Sequence, residues 1–104
     1  MLRMDFSWKV LELTGRIPSG KVTTYGEIAR ALGNARLSRA VGNALHGNPR
    51  PVETPCHRVV KSDGSLGGYS RGIHDKTKLL RSEGVQIQNN RILNFDKLFF
   101  KLTP

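Results

Sequence analysis

Two short helical patterns, separated by a few residues, occupy the segment 24–46. The first begins with the capping box Thr24-Tyr25-Gly26-Glu27, in which Thr24 accepts a hydrogen bond from a backbone amide and Glu27 reaches back to the start of the helix. Gly33 ends this helix. One apolar stripe follows the capping box: Tyr25, Ile28, Ala29 and Leu32.

The second pattern predicts a helix from about Leu37 to His46. Its buried side consists of Ala40, Val41, Ala44 and Leu45. Its opposite side carries no bulky hydrophobic residue and consists of Arg39, Gly42, Asn43 and His46, spaced i, i+3, i+4 and i+7. Two such helices are typical of a helix-turn-helix, and an ordinary helical hairpin has the same pattern. Pattern alone leaves both open.

Further elements flank this pair of helices. Three apolar residues at i, i+4 and i+7 predict an N-terminal helix that ends at Gly15: Phe6, Val10 and Leu13. Short extended pieces are predicted at 22–23 and at 58–60, and the second is followed by a turn at 62–65. Between the helix pair and the second piece, two prolines and a glycine within the segment 47–51 predict irregular structure.

The C-terminal third predicts a helix, a hairpin and an apolar patch. The helix runs from about Asp75 to Ser82, with Leu79-Leu80 facing inward, and ends at Gly84. The hairpin spans 85–93 and turns at Asn89-Asn90. The patch, which either docks on the body of the domain or binds a partner, consists of Phe95, Leu98, Phe99 and Phe100. The predicted fold is mainly α with a small β wing, a winged helix-turn-helix-like single domain over residues 1–104.

Charge is the most informative bulk property of the chain. Seventeen Lys and Arg residues stand against eight Asp and Glu residues, which gives a formal net charge of +9. For one small domain this predicts a polyanionic partner, most simply nucleic acid, although a merely soluble or ribosome-associated basic protein has the same balance. The apolar runs are too short for a membrane span, and the N-terminus is not typical of a signal peptide.

Cys56 is the one cysteine of the chain, and it stands next to His57 in Pro55-Cys56-His57-Arg58. A cysteine beside a histidine is a candidate nucleophile, because a neighbouring base or cation favours the reactive thiolate. The alternative is a small buried hydrophobic residue before the Val59-Val60 pair. A single cysteine excludes an internal disulfide and a cysteine-rich metal site, and it suits a reducing cytoplasm. The loop 67–72 has no phosphate-binding spacing, so no nucleotide cofactor is predicted.

Several short motifs stand in a fixed order along the chain: Tyr25, Ser38-Arg39-Ala40-Val41-Gly42, Gly47-Asn48-Pro49, Pro55-Cys56-His57-Arg58-Val59, Tyr69-Ser70 and Glu83-Gly84. With these motifs the chain resembles the C-terminal DNA-binding and active-site domain of the O(6)-alkylguanine-DNA alkyltransferases, also called methylated-DNA–protein-cysteine methyltransferases. The resemblance runs from about Phe6 to Gly84.

The resemblance implies a role for each matched residue. Cys56 is the expected alkyl acceptor, His57 takes its proton through a water, Glu83 orients His57, and Asn48 braces the turn that carries the cysteine. Tyr25 presses on a phosphate, helps to turn the base out and protonates the leaving guanine.

Other matched residues are expected to contact DNA or the flipped base. Arg39 enters the stack in place of the extruded nucleotide, with Ser38, Gly42 and Asn43 beside it on the DNA. The expected pocket consists of Tyr69, Ser70, the backbone around Val59 and, at its rim, Arg71, where many relatives have glycine and a long cation restricts bulky adducts.

The implied activity is a single displacement by a thiolate on a saturated carbon, and the thioether product leaves the protein spent after one event. The expected partner is double-stranded DNA containing O(6)-alkylguanine, bound through its minor groove by a monomer, without metal, cofactor or membrane. The expected location is the cytoplasm, at the nucleoid, or the nucleus in a eukaryote.

Two features set this chain apart from the larger members of the family. It has no room for their additional N-terminal domain, as in the single-domain alkyltransferase-like proteins, which bind lesions without repairing them. Those proteins typically have tryptophan where this chain has Cys56. The alternatives to a transferase are therefore a lesion-binding protein that flags alkylguanine for excision-repair proteins, and a winged-helix transcription factor with an inert cysteine.

Overall fold

The computed structural model describes residues 5–103. Its α-helices within that range are α1 (Phe6–Thr14), α2 (Tyr25–Ala31), α3 (Ser38–His46), α4 (Ile73–Ser82) and α5 (Phe95–Leu98). The short strands are β1 (Thr23–Thr24), β2 (Val59–Val60), β3 (Ile87–Gln88) and β4 (Arg91–Ile92), and 3-10 helices cover Ala35–Leu37 and Cys56–Arg58. The predicted mainly helical fold with a small β part is confirmed.

Of the two hydrogen bonds that the predicted capping box of α2 requires, the structure contains one. The Thr24 hydroxyl accepts a hydrogen bond from the Glu27 amide at 2.9 Å, as predicted. The prediction that Glu27 reaches back to the start of the helix is wrong. Its carboxylate accepts instead from the Arg30 guanidinium, at 2.8 and 2.7 Å, and from the Leu102 amide at 2.7 Å.

Helices α1, α2 and α3 enclose the main core. Val10, Ile28 and Val41, one from each helix, are fully buried there. The helix pair α2–α3 is joined by the short 3-10 helix Ala35–Leu37, whose start is capped by the Asn34 side chain. The polar face of α3 is left outside this core, as a helix-turn-helix requires.

Two strand pairs complete the frame. β1 and β2 run parallel, with Thr23 opposite Val59 and Thr24 opposite Val60. Arg58, predicted in the strand, ends the 3-10 helix instead, because its amide donates to Pro55 at 2.9 Å and closes that turn. β3 and β4 form the predicted hairpin. Asn89 and Asn90 both have positive φ, 53° and 59°, as a two-residue turn of this twist needs.

The C-terminal segment docks on the body of the protein, which confirms one of the two predictions for the apolar patch. Val22 donates its amide to the Leu98 carbonyl at 3.0 Å, and Phe100 donates to the Val22 carbonyl at 2.7 Å. Leu102 is buried in the main core. Phe95 and Leu98 pack on a second cluster that lies under the hairpin. The tail thereby extends the β1–β2 pair on its far side. Within residues 5–103 no helix combines the length and apolar character needed to cross a membrane.

Candidate active site

Cys56 lies at one side of an open cavity of about 680 Å³. It begins the 3-10 helix that leads into β2, and only 5% of its surface is exposed. Its side chain packs on the main core, as a buried hydrophobic residue does, and it also lines the cavity. The other lining residues are Tyr25, Ser38, Arg39, Gly42, Asn43, Leu45, His46, Lys61, Gly68, Tyr69 and Ser70.

Asn48 connects the end of α3 to the cysteine. Its buried side-chain amide donates to the Thr54 carbonyl at 2.9 Å and to Cys56 Sγ at 3.3 Å. Its carbonyl oxygen accepts from the Arg50 amide at 2.9 Å, which closes the irregular segment on itself. The three bonds fix the turn before Cys56, in the position that the predicted bracing role needs.

His57 is fully buried behind Cys56. Its Nε2 lies 3.1 Å from a carboxylate oxygen of Glu83, while Nδ1 has no hydrogen-bond partner among residues 5–103. Burial lowers the pKa of His57, and the Glu83 carboxylate opposes this only in part. The imidazole is therefore neutral at pH 7, with Nδ1 able to accept a proton if Nε2 carries the hydrogen bonded to Glu83.

Glu83 stands at the C-terminus of α4, where two partners hold its carboxylate. Besides His57, Arg58 donates to it through two nitrogens, at 2.9 and 2.6 Å. Burial alone would raise the pKa of Glu83, but the hydrogen bonds from Arg58 and His57 outweigh it and keep that pKa below its usual value. Arg58 also donates to the Ile17 carbonyl at 2.7 Å, which anchors the network to the loop after α1.

Arg58 was absent from the predicted site, and nothing local reveals its partner. The pair joins positions 25 residues apart, so its only sequence signal is an arginine that directly follows His57. In the structure Arg58 fixes the carboxylate that in turn fixes the imidazole.

Tyr25 begins α2 and forms another wall of the cavity. Burial raises the pKa of its phenol, and negative charge at Cys56 raises it further. A side-chain carbon added at Gly67 would lie 2.9 Å from the Tyr25 hydroxyl, and one added at Gly42 would lie 3.9 Å from the ring. Glycine at position 67 therefore lets the ring lie against the loop 67–70, whereas a carbon at position 42 would make only an ordinary contact with it.

Lys76 is the second residue that the predicted site lacked. From the sequence a lysine here is expected to be nonspecific charge, but its side chain is fully buried. The ammonium donates to the carbonyls of Val59 at 2.7 Å and Gly68 at 3.0 Å, and it lies 5.8 Å from the centroid of the Tyr25 ring. Burial lowers its pKa to about 7. Its position four residues before the buried Leu80 was the available signal, because it places Lys76 on the inner face of α4.

The predicted DNA-contacting residues of α3 lie together along the cavity. Arg39 and Asn43 are exposed, and Ser38 and Gly42 are half-buried beside them. Ser38 donates its hydroxyl to the Ala35 carbonyl at 3.0 Å, which joins the first turn of α3 to the preceding 3-10 helix. His46, predicted on the side of the helix opposite the buried one, is exposed and lines the same cavity.

The predicted pocket residues divide into two groups. Tyr69 and Ser70 line the cavity with Cys56, and the ring of Tyr69 meets the His57 ring edge-on at 6.4 Å between centroids. Val59 is fully buried and does not line the cavity, although its carbonyl holds Lys76. Arg71 lies outside it as well, because it lines a neighbouring hollow of about 330 Å³ with Val52, Asp75, Lys78, Leu79 and Ser82. Arg71 was predicted at the rim of the pocket, but it does not line the cavity that contains Cys56.

Metal-binding geometry is not found in the part of the chain that the structure describes. No three His, Cys, Asp or Glu side chains of residues 5–103 are grouped so that they could hold an ion. The groups in and around the cavity are one thiol, a neutral imidazole, a phenol and several cations.

Comparison with known proteins places these residues in a family. The family described as "6-O-methylguanine DNA methyltransferase, DNA binding domain" matches residues 5–85. A methylated-DNA–protein-cysteine methyltransferase of Thermococcus kodakarensis is 50% identical over 82 residues, which cover 78% of this chain and 45% of that protein. A bifunctional methyltransferase/endonuclease of Picrophilus torridus is 47% identical over 92 residues, which cover 88% of this chain and 31% of that protein. The chain thus spans less than half of the length of either relative.

One solved structure matches this chain over nearly the whole length of both proteins. The crystal structure of S. pombe Atl1 in complex with damaged DNA containing O6-carboxymethylguanine superposes with a TM-score of 0.81 at 36% identity. The alignment covers 96% of this chain and 99% of Atl1. Since the family match includes α1 to α4 and every residue of the site described above, the chain belongs to the 6-O-methylguanine DNA methyltransferase DNA-binding domain family, a family of DNA alkylguanine repair proteins.

Proposed function

We propose that this protein is a DNA repair alkyltransferase that transfers the alkyl group of an O(6)-alkylguanine to Cys56 in a single turnover. One observation carries the proposal. Cys56 lines an open cavity and is directly followed by a buried imidazole that a carboxylate holds in place. A thiol that served only as a core residue needs neither the cavity nor the buried His57–Glu83 pair.

The proposed reaction begins with a proton transfer from the thiol. His57 is neutral at pH 7, and its Nδ1 is free to receive the Cys56 proton through a water. Glu83 keeps the ring oriented and stabilises the imidazolium that forms, as the carboxylate does in other nucleophile–histidine pairs. Asn48 donates to Sγ, and a donor at that atom favours its charged form.

The displacement itself forms one bond and breaks one. The thiolate attacks the saturated carbon, the S–C bond forms, and the C–O6 bond breaks with its electron pair going to guanine. The Tyr25 phenol, kept protonated by its raised pKa, supplies a proton to the leaving base. The thioether has no carbonyl that water could attack, so the protein is consumed by the reaction.

DNA binding follows from the exposed face of α3. Its small and polar residues along the cavity suit a helix lying in the minor groove, with Arg39 positioned to fill the space of an extruded nucleotide. The net charge of +9 favours a largely electrostatic interaction. Affinity for undamaged duplex should fall with salt at a log–log slope of about −0.9 per phosphate neutralised, with little sequence preference.

A second candidate function is lesion binding without transfer. The observation in its favour is that the alignment of this chain with Atl1 covers 99% of the Atl1 chain. In that function the protein would hold alkylguanine for excision-repair proteins, and Cys56 would only pack against the lesion.

Incubation with a duplex that carries a radiolabelled alkyl group on guanine separates the two functions. We expect the label to move to the protein and to survive denaturation. Label that remains on DNA while the complex is stable would favour lesion binding and contradict the proposed transfer. Cys56→Ser protein is the control, because it should bind the lesion and acquire no label.

A further inference from the structure

The cavity beside Cys56 is lined by cations and by no carboxylate of the described residues. Arg39 and Lys61 contribute to its wall, and within residues 5–103 neither Asp nor Glu does. The buried Lys76 stands directly behind this wall, with its ammonium bonded to the carbonyl of Gly68, a lining residue. The nearby Glu83 is already bound by Arg58 and His57. Basic side chains therefore outnumber acidic ones at the wall of this cavity.

Lys61 lines the cavity, and the proposed mechanism gives it no role. Its aliphatic chain lies beside Gly67, at 3.5 Å from the position that a side-chain carbon would take there. The Tyr25 hydroxyl approaches that same position to 2.9 Å. Lys61 thus lies on the side of the cavity that holds the proton donor. Among the described residues its ammonium makes no hydrogen bond or ion pair, so it is available to a ligand.

From these positions we infer that the site selects guanines whose O6 substituent carries a negative charge, such as a carboxymethyl group, over neutral substituents of the same size. This inference rests on the proposed function. An approaching thiolate and a carboxylate one carbon away from its target repel each other, and cations at the cavity wall offset that repulsion. The volume of about 680 Å³ leaves room for a substituent larger than methyl.

Transfer of a carboxymethyl group forms and breaks the same bonds as transfer of a methyl group. The S–CH₂ bond forms on Cys56, the CH₂–O6 bond breaks, guanine leaves with the electron pair and is protonated, and the carboxylate keeps its charge. The product is S-carboxymethylcysteine at position 56.

A matched pair of lesions isolates the charge. O(6)-carboxymethylguanine and its neutral amide, O(6)-carbamoylmethylguanine, are nearly the same size and are placed in otherwise identical duplexes. The measured quantity is the ratio of single-turnover rate constants, anionic over neutral, within each protein variant. Intrinsic reactivity of the two lesions cancels when these ratios are compared between variants.

We expect Lys61→Gln to lower the ratio about fivefold at low salt and Lys61→Glu to lower it further, with a smaller effect as salt screens the exposed ammonium. Lys97→Gln is the control, since it removes one positive charge from α5, which does not line the cavity. Its ratio should equal that of the unsubstituted protein.

Equal losses on both lesions in Lys61→Gln would show that Lys61 contacts only DNA phosphate, and the inference would be wrong. Transfer from neither lesion would refute the proposed function instead. In that case the affinities of Cys56→Ser protein for the two duplexes still test the inference, because selection by charge requires tighter binding of the anionic lesion and a loss of that preference in the Cys56→Ser, Lys61→Gln double variant.

Discussion

Replacing Glu83 by Gln tests the network behind the cysteine most severely. The substitution keeps the size of the side chain and one acceptor oxygen, but it leaves Arg58 without its counter-charge. Both side chains of the pair are largely buried, with 15% of Arg58 and 13% of Glu83 exposed. Breaking a buried ion pair from one side costs about 3–5 kcal/mol. Arg58 keeps its hydrogen bond to the Ile17 carbonyl in this variant. We therefore expect Glu83→Gln to lower the free energy of unfolding by about 2–4 kcal/mol.

Thermal and urea unfolding measure this loss. For a domain of this size, each kcal/mol lowers Tm by roughly 4–8 °C, so Tm should fall by on the order of 10–20 °C. The pKa of Glu83 is lowered in the fold, so its contribution is present above the ordinary carboxyl pKa and is lost as pH falls through the lowered value. The stability difference between the two proteins should therefore shrink in acid.

An exposed ion pair supplies the control. Arg50 and Glu53 approach to 3.7 Å with about three quarters of each side chain exposed, so Glu53→Gln should change stability by less than about 0.5 kcal/mol. The double variant Arg58→Met, Glu83→Gln should be more stable than the sum of the single losses predicts. If Glu83→Gln costs no more than Glu53→Gln, the carboxylate does not hold Arg58 and His57 as described.

Three further predictions concern the cavity and its chemistry. Arg39→Ala should slow repair in duplex DNA far more than reaction with a free alkylguanine base, and a mispaired lesion should partly restore the rate; equal losses on duplex and free base, in single-turnover assays, would exclude a role in base extrusion. Gly67→Ala and Gly33→Ala each place alanine at positive φ, 72° and 99°, and should each lose about 1–2 kcal/mol in unfolding assays. Only the Gly67 variant should also slow transfer, because its new carbon meets the Tyr25 hydroxyl, whereas nothing lies within 4 Å at Gly33; equal rates in the two variants would contradict the placement of Tyr25. Since the pKa of His57 is lowered and its neutral form acts as the base, the transfer rate should stay level as pH falls from 8 to about 6.5 and decline only below that; a decline centred above pH 6.5 would assign the base to another group.

Local chemistry accounts for the parts of the fold that the sequence predicts well. Thr24 caps α2 through a bond to the amide three residues later, and Asn89-Asn90 tolerate the positive φ of a tight hairpin turn. The family resemblance likewise implies that Tyr69 and Ser70 form a pocket with the reactive Cys56, and the structure places these three residues at one cavity.

Long-range partners explain the errors. The Glu27 carboxylate is taken by Arg30 and by the Leu102 amide, which lies 75 residues further along the chain. Lysine is almost never fully buried, so composition favours an exposed Lys76, and only the carbonyls of Val59 and Gly68 make its burial tolerable. The Leu102 amide and the two carbonyls that accept from Lys76 belong to other segments of the chain, so no local pattern reveals these partners.

The destination of the alkyl group is the central claim, and intact mass spectrometry measures it directly. The protein is incubated with an excess of duplex containing O(6)-methylguanine, denatured and weighed, and then digested to locate the added mass. We predict one added methyl group per chain, located on Cys56, with no further increase at longer times and none in Cys56→Ser protein. Unchanged mass in protein that demonstrably binds the lesion, or methylation of any other residue, would contradict the proposed mechanism.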